Sequence, residues 1–431
     1  MREGEIRDVM RLELPNFRHL RVFREVAYCH SVSLAAERAH LSQPAVTQAV
    51  AKLEGDLAVP LFERRRDGMF VTEPGGRFLA RVERALDHLQ AGAREAVRLG
   101  HRQKGRGFTD FDRLLTAAQL RALVAVSEAK NFSMAARNIG ISQPSIHRAA
   151  RNLERLSGLR LFESAHEGIS LTPAAHVLAQ RTKLALAELQ QAHDEVEDHL
   201  GRDSTHIAVG ALPLARTHIL PAAINLMVSN SERVQIRAVD GRYDELLQGV
   251  RQGDLDFLIG ALRDPAPVDD IVQERMFDDP LAIVTGPQHP LARETAVTIA
   301  DVLRYPWVAP PKTTPAGSYL YNTLRIQDLP QTPVRVVSSS LVLLRGLLTT
   351  GDYITIISLN QIRHEHEQGV LVPLPIELAD SARAIGLTYR RDWQPTRTQQ
   401  QFLSYLREVS REAYGDGTAL SNKSIAADAI E

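Results

Sequence analysis

The chain holds a single cysteine, Cys29, which excludes an internal disulfide and a cysteine-cluster zinc site. Cys29 closes the apolar run Val22-Phe23-Arg24-Glu25-Val26-Ala27-Tyr28, where a free thiol is expected as a small buried hydrophobe. No stretch approaches the ~18 uninterrupted apolar residues of a membrane span. The polar start Met1-Arg2-Glu3-Gly4-Glu5 lacks the apolar core of a signal peptide, so the expected location is the cytoplasm, with no membrane partner. Missing too are a Gly-x-Ser-x-Gly elbow, a phosphate loop and a dinucleotide fingerprint, so no catalytic residue and no cofactor is indicated. His364-Glu365-His366-Glu367 lacks the i, i+4 histidine pair of a metalloprotease helix and reads as a solvated helix face, not a metal site. Net charge is also scarce, at −1, so any affinity for nucleic acid must come from local basic patches.

What is present is size and repetition. The 431 residues, 44% hydrophobic and 24% charged, are enough for three or more soluble domains of roughly 100–200 residues each. Ser42-Gln43-Pro44 recurs as Ser142-Gln143-Pro144, Ala35-Ala36 as Ala135-Ala136, and Leu53-Glu54 as Leu153-Glu154. Leu61-Phe62-Glu63 recurs as Leu161-Phe162-Glu163 and Thr72 as Thr172, all in one register of 100 residues without a gap. A self-similar pattern of this kind marks one structural unit present twice.

Each copy has the punctuation of a winged helix-turn-helix. In the first, residues 15–73, helical spacing of Leu20, Phe23 and Ala27 predicts a helix from Phe17 to Tyr28. Ser33 is placed to cap a short second helix, Leu34 to Ala39. Ser42 is placed to cap a third that runs to about Gly55, with Pro44 in its first turn where a missing amide costs nothing. Leu61–Glu63 and Met69–Val71 flank a wing at Arg64-Arg65-Arg66, and a long amphipathic helix fills 74–100. Gly100 to Gly107 reads as a flexible, solvated linker. The second copy spans 115–172 and its long helix 173–201. From 204 to 412 strands and helices alternate, which predicts α/β architecture with largely parallel sheets; the polar tail 413–431 is expected to be disordered, as is the start, 1–14.

A helix that enters the major groove must offer short polar side chains near its N-terminus. Copy one offers Gln43, Thr47 and Gln48, and glutamine can bond adenine in a bidentate manner. Copy two offers Gln143, His147 and Arg148, and Arg148 suits guanine. Phosphates would be met in copy one by Lys52, Arg64, Arg65 and Arg66. Copy two has Ser164-Ala165-His166 in place of the three arginines, so it either binds DNA more weakly or serves as a dimerisation scaffold.

These residues resemble the LysR-type transcriptional regulators: Ser42-Gln43-Pro44-Ala45-Val46, Leu53-Glu54, Pro60-Leu61-Phe62-Glu63-Arg64 and Thr72, then the long helix, then the α/β half. Within the latter, Val239-Asp240-Gly241-Arg242-Tyr243-Asp244-Glu245-Leu246-Leu247, Gly253-Asp254-Leu255-Asp256, Gly260-Ala261-Leu262-Arg263-Asp264 and His289-Pro290-Leu291-Ala292 resemble the branch named for the galactose-binding-protein regulator. The resemblance implies a ligand-responsive, sequence-specific DNA-binding regulator of transport or catabolism genes, acting as a homodimer or homotetramer on double-stranded DNA. It places base contacts at Gln43, Pro44, Thr47 and Gln48 and a backbone contact at Arg64. It also implies a type 2 periplasmic-binding-protein-like effector domain of two subdomains, 204–281 with 376–412, and 282–375. The family has one DNA module and this chain has two.

In such a fold, ligands sit beyond the carboxyl ends of strands, where helix N-termini point amides at them. Three turns are candidates: Leu212 to Thr217 with Arg216, Pro310 to Thr314 with Lys312 and Thr313, and Ser338-Ser339-Ser340. Their hydroxyls and cations suit a sugar or a small organic acid, and Trp393 is a candidate for stacking on a sugar ring. The competing class is a solute-binding protein or enzyme whose helical half only mediates assembly.

Overall fold

The computed structural model describes residues 15–100, 107–108, 110–166, 168–202, 205–329 and 331–415, which form two compact units that divide near Ile207. The expected linker at 101–106, the N-terminal 1–14 and the tail from 416 lie outside the described residues.

The first unit carries the repeat. Helices α1 (Phe17–Cys29), α2 (Val32–Arg38) and α3 (Gln43–Leu57) pack together, hairpin β1 (Phe62–Arg65) and β2 (Gly68–Val71) forms the wing, and α4 (Glu73–Leu99) follows. Copy two repeats this as α5 (Ala117–Ala129), α6 (Phe132–Ile139), α7 (Gln143–Ser157), β3 (Phe162–Ala165), β4 (Gly168–Leu171) and α8 (Pro173–His199). The cap of α2 is Ser31, which accepts from the Leu34 amide, and not Ser33; Asn131 does the same for α6. Helix α1 ends on a left-handed His30 and α5 on a left-handed Lys130. Their carbonyls accept from Met69 and Ile169 at the head of each wing, where a β-carbon on Gly68 or Gly168 would press into the carbonyl oxygen. Cys29 is half-buried against the core, less enclosed than its apolar surroundings suggest. One continuous core joins both modules and both long helices, from Phe17 to Val196.

In the second unit two five-stranded sheets alternate with helices. The first sheet has the order β6 (Gln235–Asp240), β5 (His206–Ala211), β7 (Phe257–Ala261), β14 (Arg383–Arg390), β8 (Ile271–Asp279). The second has the order β11 (Val334–Val337), β10 (Trp307–Ala309), β12 (Ile354–Ser358), β9 (Leu281–Thr285), β13 (Val372–Pro373). The helices are α9 (Ile219–Asn230), α10 (Tyr243–Gln252), α11 (Ile299–Val302), α12 (Pro315–Ser318), α13 (Leu341–Thr350), α14 (Arg363–Glu367) and α15 (Arg397–Tyr414). The sheets are mixed, not largely parallel: β5 and β7, and β10 with both its neighbours, run parallel, while β14 and β9 run antiparallel to theirs. The antiparallel strands arise because the chain crosses between the sheets twice and re-enters the first one at β14, from far along the sequence.

Candidate nucleic-acid interface and effector cleft

Helix α3 begins at Ser42, whose hydroxyl accepts from the Ala45 amide at 3.4 Å, with Pro44 in its first turn. Val46, Ala49, Val50 and Leu53 are buried, and that stripe leaves Gln43, Pro44, Thr47, Gln48 and Lys52 exposed on the opposite face. Lys52 forms an exposed pair with Asp56 at 2.7 Å, the kind of contact that water and phosphate readily replace. On the wing Arg64, Arg65 and Arg66 are exposed; Arg65 pairs with Glu63 and lies 5.1 Å from the centre of the Phe70 ring. The wing is tied to α3 by Glu54, whose carboxylate accepts from the Leu61 and Phe62 amides at 2.9 and 3.2 Å. Glu154 does the same for Leu161 and Phe162 at 2.9 and 3.1 Å, which explains why Leu-Glu recurs.

Helix α7 has the same form, with Ile146, Ala150 and Leu153 buried and Gln143, His147 and Arg148 exposed. Gln143 accepts from the Ser133 hydroxyl at 3.0 Å, and the His147 ring packs edge-on against Phe132. The exposed wing here carries Ser164, Ala165 and His166.

Helices α4 and α8 pack antiparallel along their length. Arg81 is buried and donates to Glu188 (2.9 Å), Gln191 (2.7 Å) and Glu195 (2.6 and 3.1 Å). Arg84 donates to the other oxygen of Glu188 at 2.8 Å. Gly92 gives the close approach: a β-carbon there would lie 2.7 Å from that of Arg181. Burial lowers the basicity of Arg81, but its carboxylate partners reverse this and leave its pKa raised.

In the second unit a cleft of about 650 Å³ opens between the two sheets. Of the candidate residues it gathers Leu212, Thr313, Ser338 and Ser339. The other four do not line it. Arg216 pairs with Asp240 at 3.2 Å, and Thr217 donates to the Leu214 carbonyl. Lys312 bonds Gln327 at 2.9 Å over the Tyr321 ring, and Ser340 is spent as the cap of α13. Trp393 is buried between Phe257 and Tyr389, a packing residue with no ring face for a sugar. His364 to Glu367 lie within the short α14, whose face is not fully solvated: Glu365 is buried and His366 half-buried; no acidic or histidine cluster able to hold a metal occurs among the described residues.

The cleft adds groups that the candidate turns did not include: Tyr243, Arg263, Gln361 and Arg383. The Arg263 guanidinium lies 4.2 Å from the Tyr243 ring centre, and burial pulls its pKa below the ordinary value, with Tyr243 opposing. The Tyr243 hydroxyl is shielded and has no hydrogen-bond partner in the structure. Arg383 is occupied by Asp279, which also accepts from Ser358 (2.6 Å) and Asn360 (3.0 Å). Asp279 sits where the chain leaves the first sheet, so this bonding ties the two sheets together at their crossing. Burial raises its carboxyl pKa, against the pull of Arg383. Tyr243 and Arg263 both fall inside the motifs at 239–247 and 260–264, so the sequence did carry a signal for them.

Two helix-turn-helix modules followed by a two-sheet domain around a cleft define a DNA-binding regulator with a ligand-binding half. The bacterial regulatory helix-turn-helix of the lysR family matches residues 17–76 and again 117–176, and the LysR substrate binding domain matches 200–411. The chain belongs to the LysR family of transcriptional regulators, whose members bind DNA, respond to small-molecule effectors and self-associate. It is 33% identical over 401 residues to the HTH-type transcriptional regulator GalR of Pseudomonas putida, covering 93% of this chain and 99% of the relative. It is 28% identical over 305 residues to PcaQ of Agrobacterium fabrum, covering 71% and 97%. The two spans differ by close to the length of one repeat, so GalR matches through the doubled region. A full-length OxyR variant from Pseudomonas aeruginosa has the same fold, with a TM-score of 0.50 at 19% identity over 69% of this chain and 95% of that one. No described helix is long and apolar enough to cross a membrane.

Proposed function

We propose that Gln43, Thr47 and Gln48 read base edges, that Lys52 and Arg64 to Arg66 grip phosphates, and that occupancy of the cleft by a small organic acid controls transcription. The protein acts in the cytoplasm and performs no catalysis. The observation that carries the DNA reading is the polar outward face of α3 beside an arginine wing tied to it through Glu54. The preference for an acid over a sugar rests on Arg263, a guanidinium held in a mostly apolar cleft with the Tyr243 hydroxyl and the hydroxyls of Thr313, Ser338 and Ser339. An effector shifts the protein between states only by its differential affinity for them.

Quantitative footprinting tests the first part. Gln43→Ala is expected to relax base preference, whereas Arg64→Ala weakens binding to all sequences about equally and lowers the salt slope by about 1. No protected sequence at moderate salt would reject it. Thermal-shift screening of carboxylic acids beside sugars tests the second part, since bound ligand raises apparent stability by mass action. Arg263→Ala should abolish the shift, and a sugar that acts equally on that variant would reject the acid.

A further inference from the structure

The antiparallel packing of α4 on α8 relates the two modules. Arg81 meets Gln191, while Gly92 meets Arg181. With the copies 100 residues apart, Arg181 is the counterpart of Arg81, and Gln191 stands one place from the counterpart of Gly92. Contacts that exchange in this way are the mark of a two-fold relation between like surfaces. Each long helix leaves its own module at its N-terminus, so the modules sit at opposite ends of a rod of 27-residue helices, about 40 Å long at 1.5 Å per residue. One turn of duplex is ~34–36 Å.

Helix α8 holds Arg81 better than a second α4 would. Glu188 accepts from both Arg81 and Arg84, and its counterpart on α4 is His88. Two α4 helices in the same register would lose that shared acceptor. Gly100 packs on Leu159 and Ala174, and Gly107 on Ser157 and Gly158, so both lie against the same stretch of the second copy.

We propose that a single chain is a complete two-headed reader: α3 and α7 are held as pseudo-symmetric halves and read two dissimilar, inverted half-sites about one turn of duplex apart. The copy-two module is thereby a specificity head, with Arg148 at guanine where copy one presents Gln48 at adenine. The proposal rests on the DNA reading above.

The test uses the full chain in two arms. In a Cys29→Ser background, Gly100→Cys with Ala174→Cys should oxidise to a species of one-chain mass on a denaturing gel. Cross-linked two-chain species would overturn the intrachain pairing. Sites selected from random duplexes by the wild type should then show two unlike inverted halves. Arg148→Ala should cut discrimination about 5- to 150-fold at one half alone, and Gln48→Ala by as much at the other alone. Identical halves, or relaxation of both by Gln48→Ala and of neither by Arg148→Ala, would overturn the two-headed arrangement. Absence of any sequence preference in the wild type would instead remove the DNA reading, and the proposal with it, while the cross-link still reports the pairing.

Discussion

Replacing Arg81 by alanine isolates what holds the two modules together. Its guanidinium is buried, and it donates to Glu188, Gln191 and Glu195. Truncation leaves Glu188 buried with Arg84 as its one remaining ion-pair partner among the described residues, and removes the cation that pairs with Glu195. Breaking a buried pair costs about 3–5 kcal/mol. Retention of the Arg84 bond puts the expectation at the lower end, about 3 kcal/mol. Arg98 on the same helix is exposed, with Glu95 at 3.6 Å, so Arg98→Ala should cost less than about 0.5 kcal/mol. The two tryptophans, Trp307 and Trp393, both lie in the second unit, so their fluorescence follows that half, while far-ultraviolet ellipticity is weighted to the helical first unit. With a urea dependence of about 1–3 kcal/mol per molar, Arg81→Ala should lower the ellipticity midpoint by about 1 M or more and leave the fluorescence midpoint in place. A shift no greater than that of Arg98→Ala would refute the reasoning, as would equal movement of both signals.

Glu54→Ala should leave the Leu61 and Phe62 amides without their acceptor, destabilise copy one by about 2 kcal/mol and speed hydrogen exchange of the wing; unchanged protection of those amides would count against the tether. In the second unit the Arg407 guanidinium holds the Glu274 carboxyl below its ordinary value. A depressed folded value means the unfolded chain takes up the proton first, so this contribution is full above about pH 5 and fades as pH falls toward the folded value. Melting followed by tryptophan fluorescence should therefore be less steep with acid in Glu274→Gln than in the wild type, and parallel curves would show that the pair contributes nothing.

The sequence disclosed the modules well because their signals are local. Ser42, Pro44 and Thr72 act within a few residues of themselves, and the buried stripe of α3 is a matter of spacing. The strands β8 and β14 escaped notice for the opposite reason. Ile271–Asp279 is half-exposed and rich in charge, and its partner lies more than a hundred residues downstream, so its strand character depends on a neighbour that no window contains. The same holds for the cleft. Ser338 and Thr313 were visible as strand-to-helix turns, but that Arg263 lines the cavity over the Tyr243 ring while Arg216 lies outside it, beside Asp240, depends on packing between distant segments. Amphipathic spacing also showed that Phe78, Val82, Leu86 and Leu89 bury one side of α4 without saying that α8 would cover it.

The tether between the two heads bears on how such a protein can change. In a regulator made of two identical subunits, any substitution on the recognition helix strikes both arms of the operator at once, and the operator must alter twice to match. Here the arms are encoded by separate codons on one polypeptide joined through Arg81 and Gly92. In the two-headed arrangement proposed above, a change at Arg148 leaves Gln48 untouched, so each arm of the target is free to drift alone.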